Sequence, residues 1–237
     1  FLFLVPMLLK KPLWSFKLAN WTWGLITVGT FTFWLDGFIS HYAPLYTLYW
    51  PLPADFNVFH PLSGAIFITG IALIMVGTLL FVLNIFKTIT YTPDGAAPVN
   101  GKLMLLDSLG FTGLFNLFRG RRRNQEEDYL TPLPIVAIAR GTVDTLFNAL
   151  IITGTGVLIL IYMIAELMGH SLRTSAIDAL LYKNWFWWGL DLIADGLVLI
   201  YVAGVWYLLA MLITGKKLFM QKWARAALAL EMVVSWT

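Results

Sequence analysis

Four long runs of apolar residues dominate the chain, at about 21–40, 61–86, 134–168 and 185–213, with polar or turn-rich stretches between them. A helix that crosses the ~30 Å hydrocarbon layer needs ~20 predominantly apolar residues. Each run meets that length, and each is rich in Leu, Ile, Val and Phe with interior glycines of the kind that packed membrane helices use. None alternates apolar and polar positions with a period of two, so the runs predict helices and not barrel strands. In the third window the spanning part is expected to begin after Arg140. Shorter stretches at 1–9 and 223–237 read as partial spans, as if the chain were cut inside a helix at each end. The opening has no basic region ahead of its apolar stretch, so no secretory signal is read there. The expected fold is all-α: a single polytopic transmembrane helix bundle over residues 1–237, incomplete at both ends.

The segment 87–131 breaks this rhythm. Thr92–Gly101 is turn-rich, Leu103–Phe118 is apolar but interrupted by Asp107, Gly110, Gly113 and Asn116, and Arg119–Asp128 runs basic and then acidic. A further crossing here would spoil the charge alternation described next. The preferred reading is a cytoplasmic insert with a helix lying in the interface, its Leu/Phe face in lipid and its arginines at anionic headgroups. A flexible linker between two spans is the plainer alternative.

Composition and charge agree with a membrane protein. Apolar residues make up 59% of the 237 and charged residues 12%, against about 45–50% and about 25% in soluble domains. Thirteen of the 16 Lys and Arg residues fall in alternate loops: Lys10, Lys11 and Lys17; then Lys87, Lys102, Arg119, Arg121, Arg122 and Arg123; then Lys216, Lys217, Lys222 and Arg225. The positive-inside rule places those loops in the cytoplasm. The chain has no cysteine, which removes disulfides and thiolate ligands together. The net charge of +3 is small, and nothing points to nucleic-acid binding.

Ionisable residues inside spans are costly and so point to a partner or a function. Arg140 and Asp144, four apart, read most simply as a local ion pair near the cytoplasmic boundary. Asp191 and Asp195 are also four apart, on one face of the fourth run. Two carboxylates about 6 Å apart in a low-dielectric setting must share a proton, bind a cation or meet a base. As hard oxygen donors they can ligate a non-heme metal or carry protons, and a helix–helix hydrogen bond is the structural alternative. Tyr201 and Glu231 are candidate members of a proton path, with packing and an interhelical contact as their plainer roles. The histidines, His41, His60 and His170, all lie in outer loops or at span ends and read as solvated.

Two segments carry a family resemblance. Leu45-Tyr-Thr-Leu-Tyr-Trp-Pro-Leu-Pro53, followed by a glycine-rich run ending Leu83-Asn-Ile-Phe-Lys87, resembles the outer loop and fourth helix of heme-copper oxidase catalytic subunits. Trp185–Trp188 with the helix behind it, Gly215-Lys-Lys-Leu and Ala224–Thr237 are similar to that family's sixth helix, the following turn and the start of its seventh. The opening Phe1–Pro6 resembles the lower half of the second helix. The chain departs from the oxidases at Gly189-Leu-Asp-Leu-Ile-Ala-Asp, where they carry Gly-His-Pro-x-x-Tyr. Trp187-Trp-Gly-Leu-Asp-Leu-Ile-Ala-Asp-Gly196 is closer to the nitric oxide reductase branch, whose Trp-Trp-x-x-His-Leu-x-x-Glu-Gly ligates a non-heme iron.

The resemblance implies part of a terminal reductase subunit in a bacterial or archaeal cytoplasmic membrane. It implies heme, with ligands outside residues 1–237, and non-heme iron or copper held by Asp191 and Asp195 in the catalytic and metal-binding roles. It also implies a cytochrome c- or cupredoxin-like electron-donor subunit, other membrane subunits and lipid as partners. Nitric oxide reduction is the expected reaction. Oxygen reduction, a metal-free structural or assembly paralogue, and a proton or cation carrier are the alternatives.

Overall fold

The computed structural model describes residues 1–42, 59–96, 98–119, 129–170, 178–191, 198–216 and 218–234. Among them the chain is helical throughout: α1 (Leu4–Leu9), α2 (Phe16–Ile39), α3 (Pro61–Thr90), α4 (Gly101–Ser108), α5 (Phe111–Phe118), α6 (Leu133–Leu167), α7 (Ala179–Asp191), α8 (Val198–Thr214) and α9 (Gln221–Val234). The apolar runs thus become helices. Leu62–Thr90 and Leu133–Ala165 are long and apolar enough to cross a membrane, and Ile200–Thr214 is apolar but shorter. The run expected over 185–213 holds α7 and α8, and residues 192–197 between them lie outside the described residues. The same is true of the outer-loop motif Leu45–Pro53 and of Arg121–Asp128.

The chain divides into two compact units. The first comprises Phe1–Ala19, Phe81–Thr145 and Leu192–Thr237. Its apolar core gathers Val5, Ile85, Ile89, Met104, Ile135, Ile138, Ala139 and Tyr201, and a second cluster joins Leu133, Val136, Ala137, Ile200 and Leu228. Asn84 and Thr88, at the end of the glycine-rich run singled out above, face the turn that leads into α2. The Asn84 side chain accepts from the Ser15 N–H at 3.2 Å and donates to the Ser15 carbonyl at 2.9 Å, while the Thr88 hydroxyl accepts from the Trp14 N–H at 3.1 Å. Ser15 in turn accepts from the Leu18 N–H at 3.2 Å and so caps the helix start. Backbone groups that precede a helix are thereby satisfied by buried side chains of α3.

The apolar stretch 103–118, expected as one helix, is two. Gly110 sits at φ 82, a left-handed conformation that separates α4 from α5. The break lets α5 lie directly on α9. A Cβ at Gly110 would run into the Arg225 carbonyl, and one at Gly113 would stand 2.9 Å from the Lys222 carbonyl. Asp107, buried at the end of α4, anchors the arrangement. Its Oδ1 accepts from the Thr112 hydroxyl at 2.5 Å, and its Oδ2 accepts from the Thr131 N–H and hydroxyl, each at 2.7 Å. Arg225 of α9 brings Nη1 to 3.5 Å from Asp107 Oδ2, donates to the Thr131 carbonyl and lies 4.0 Å over the Tyr129 ring. Phe115, Phe118, Leu103 and Leu106 remain exposed, so the insert keeps an apolar outer surface suited to lipid or to neighbouring helices.

The second unit comprises Asn20–Leu80 and Leu146–Asp191. Here α2 and α3 cross with their backbones nearly touching: a Cβ at Gly29 would stand 2.7 Å from the Gly70 carbonyl, and one at Gly70 would stand 2.9 Å from the Gly29 carbonyl. Close approach through small residues is how membrane helices associate when lipid removes the hydrophobic advantage of burial. The outward face of α2 carries exposed Trp21, Trp23, Phe31, Trp34 and Phe38.

Lys11 closes the end of α3. Its ammonium donates to the carbonyls of Ile89 at 2.7 Å and Tyr91 at 3.0 Å and lies 5.0 Å from the Tyr91 ring. Partial burial pushes the Lys11 ammonium from its ordinary 10.5 down to about 8. Between those two values the unfolded chain holds a proton that the folded chain has released, so this residue makes stability rise with pH across that window. Thermal unfolding of the purified protein from pH 7.5 to 10.5 should show this component, and Lys11→Met should remove it. Parallel pH profiles for the two proteins would contradict it.

Candidate functional site

The described polar interior of the first unit is built on α6. Arg140 and Asp144, one turn apart, are both fully buried and form an ion pair. The pair is not isolated as the spacing suggested: Glu231 of α9 brings Oε2 to 2.8 Å from Arg140 Nη2. One guanidinium therefore stands between two carboxylates from different helices. The Glu231 side chain is 42% exposed while its partners are sealed.

Tyr201 of α8 joins the same face of α6. Its hydroxyl lies 3.3 Å from the Thr142 hydroxyl and 3.1 Å from that of Thr145. Gly141 admits the ring, since a Cβ there would stand 3.2 Å from it. The Phe1 ring stacks on the other side at 4.2 Å. The two proton-path candidates, Tyr201 and Glu231, are therefore brought to one stretch of α6, residues 140–145. Both threonine hydroxyls donate to carbonyls of α6, Thr142 to Ile138 at 2.8 Å and Thr145 to Gly141 at 2.7 Å, so the Tyr201 phenol is the donor to one of them.

Asp191 is the last residue of α7, and its side chain and the whole of Asp195 lie outside the described residues. Just before it, α7 meets α6 closely. Gly189 leaves no room for a side chain, with a Cβ there 3.1 Å from Ile151, and its carbonyl accepts from the Asn148 side chain. The second unit holds another buried acid, Asp36 near the end of α2, which the sequence pattern alone did not single out. Beside it, the buried Tyr42 phenol is held above its usual range, first by burial and then by the Asp36 charge.

His41, His60 and His170 are all exposed at helix ends. Among the described residues no group of three His, Cys, Asp or Glu side chains lies together. These residues do not make up a heme or metal ligand set, and their chemistry is that of proton-exchanging and hydrogen-bonding groups.

The description "cytochrome c and quinol oxidase polypeptide I" matches residues 1–237. The chain belongs to that family. It is a membrane protein of the heme-copper oxidase subunit I type, an oxidoreductase family whose members generally bind heme with copper or non-heme metal and act in complexes with other membrane subunits. Its all-helical fold agrees with that of the oxidase polypeptides. No curated protein and no solved structure matches the chain.

In this oxidase-family chain, residues 140–145 should be sensitive to charge removal. Arg140→Met leaves Asp144 and Glu231 without their cation and should cost about 3–5 kcal/mol, the usual penalty for breaking a buried pair. Adding Asp144→Leu should recover part of that loss. Denaturant unfolding of the single and double variants checks it, and a single variant as stable as the parent would contradict it.

Proposed function

We propose that the chain forms part of the membrane-embedded catalytic subunit of a nitric oxide reductase-like member of the family. The reading is supported by the family match over residues 1–237 and by the likeness of Trp187–Gly196 to the reductase branch's sixth-helix motif, in which Asp191 and Asp195 would stand for its metal-binding His and Glu. In this reading Asp191 and Asp195 hold a non-heme iron or copper beside a heme, and that centre supplies the electron-transfer chemistry. Asp191 lies two residues beyond Gly189, where the Asn148 side chain and the contact with Ile151 hold α7 against α6. Asp144 and Glu231, positioned by the permanently charged Arg140, and the Tyr201 hydroxyl are the groups that would hold or pass protons. Electrons come from a cytochrome c- or cupredoxin-like partner subunit. The protein spans a bacterial or archaeal cytoplasmic membrane several times, with its basic loops inside.

Oxygen reduction is the second reading, since the family description covers oxidases. Electrode assays on the purified complex separate the two: electron-donor-driven consumption of NO should exceed that of O2. Asp191→Ala should leave the reduced-minus-oxidised heme spectrum unchanged. Turnover should fall by more than the roughly 10–100-fold typical of losing a ligand's supporting partner. Unchanged turnover in Asp191→Ala, or a complex without a heme spectrum, would overturn the reading.

A further inference from the structure

A cavity of about 540 Å³ lies in the second unit where α2 ends and α3 begins, lined by Thr32, Asp36, Ser40, His60 and Ser63 among aliphatic side chains. Asp36 is 3% exposed, and among the described residues its Oδ2 has no hydrogen-bond partner. The other side of the carboxylate is barely better served. The Ser40 hydroxyl lies 2.6 Å from both Asp36 Oδ1 and the Asp36 carbonyl, and its single proton serves one of them at a time. Among the described residues no Lys or Arg lines the cavity or occupies the last turn of α2, and the sequence from His41 to His60 contains neither.

What the carboxylate requires follows from its neighbours. The opening turn of α3 has no amide to spare for an anion. The Leu62 N–H is accepted by His60 Nδ1 at 3.2 Å, the Ser63 and Gly64 N–H groups by the His60 carbonyl at 3.0 and 3.4 Å, and Pro61 has none. Because His60 Nδ1 accepts that bond, its proton sits on Nε2, and the imidazole offers no nitrogen lone pair to a soft metal. A proton on Oδ1 would let Asp36 donate to the Ser40 hydroxyl and free that hydroxyl for the Asp36 carbonyl, but Oδ2 would still face the cavity without a donor. The remaining donors are oxygens, from one carboxylate and the Thr32, Ser40 and Ser63 hydroxyls, beside the negative end of α2's dipole. Oxygen donors with a single carboxylate suit a hard cation of low charge. The cavity has room for such an ion with part of its water shell.

We propose that this cavity binds a hydrated monovalent alkali-metal cation, sodium or potassium, at Asp36, with Ser40, Thr32 and Ser63 contributing oxygens. The test uses the purified complex with sodium or potassium replaced by N-methylglucamine at constant ionic strength. The unfolding midpoint should rise saturably with the alkali ion. Asp36→Asn should raise the half-saturating concentration roughly tenfold or more, as removal of one charged oxygen contact implies. Should that variant fail to accumulate, Ser40→Ala and a sodium-23 line-width titration of the unaltered complex carry the test. Saturable broadening displaced by potassium, weaker in Ser40→Ala, supports the site. Equal midpoints in sodium, potassium and N-methylglucamine, an unchanged response in Asp36→Asn, or sodium line widths without saturation would overturn it.

Discussion

The structure depends on the matching of buried charges between helices. Taking an ion out of water costs several kcal/mol even after the protein relaxes, and a partner repays that cost only at close range. Arg140 and Arg225 are both fully buried in the first unit, and each meets a carboxylate from another helix. Helix α9 takes part in both contacts, giving Arg225 to Asp107 and Glu231 to Arg140. A slide or turn of α9 would strand two charges at once, so the pairs fix its register more strictly than apolar packing can. Gly110 and Gly113 follow from the same constraint, because α5 has to come close to α9 for Asp107 to reach Arg225.

This register also gathers polar side chains along one stretch of α6. With α9 fixed, Glu231 sits at the edge of a sealed pair, and the Tyr201 hydroxyl rests on Thr142 and Thr145 of the same helix. Polar groups in protein that excludes water need partners at defined positions. Such groups are stable there only because they compensate one another.

Much of this was legible in the sequence. The apolar runs became helices because period and length decide that question with little help from tertiary context. The Arg140–Asp144 pair could be read from its spacing of four. Its third member could not, since Glu231 lies on another helix and nothing in the chain ties the two positions. The Asp107–Arg225 contact was hidden for the same reason, although Asp107 had been noted as an interruption of an apolar stretch. Asn84 was quoted within a family motif without its task, because hydrogen bonds to the backbone around Ser15 leave no mark in side-chain patterns. Asp36 escaped as a lone acid in an aromatic-rich run; its weak signal was Ser40, one turn on and at the helix end.

The matching of charges across helices is tested most directly by a double-mutant cycle on Arg225 and Asp107, read by denaturant unfolding of Arg225→Met, Asp107→Leu and the combined variant. Each single change should cost about 3–5 kcal/mol, and the combined variant should lose far less than their sum, because removing both ions leaves no uncompensated charge. Losses that simply add would contradict the account.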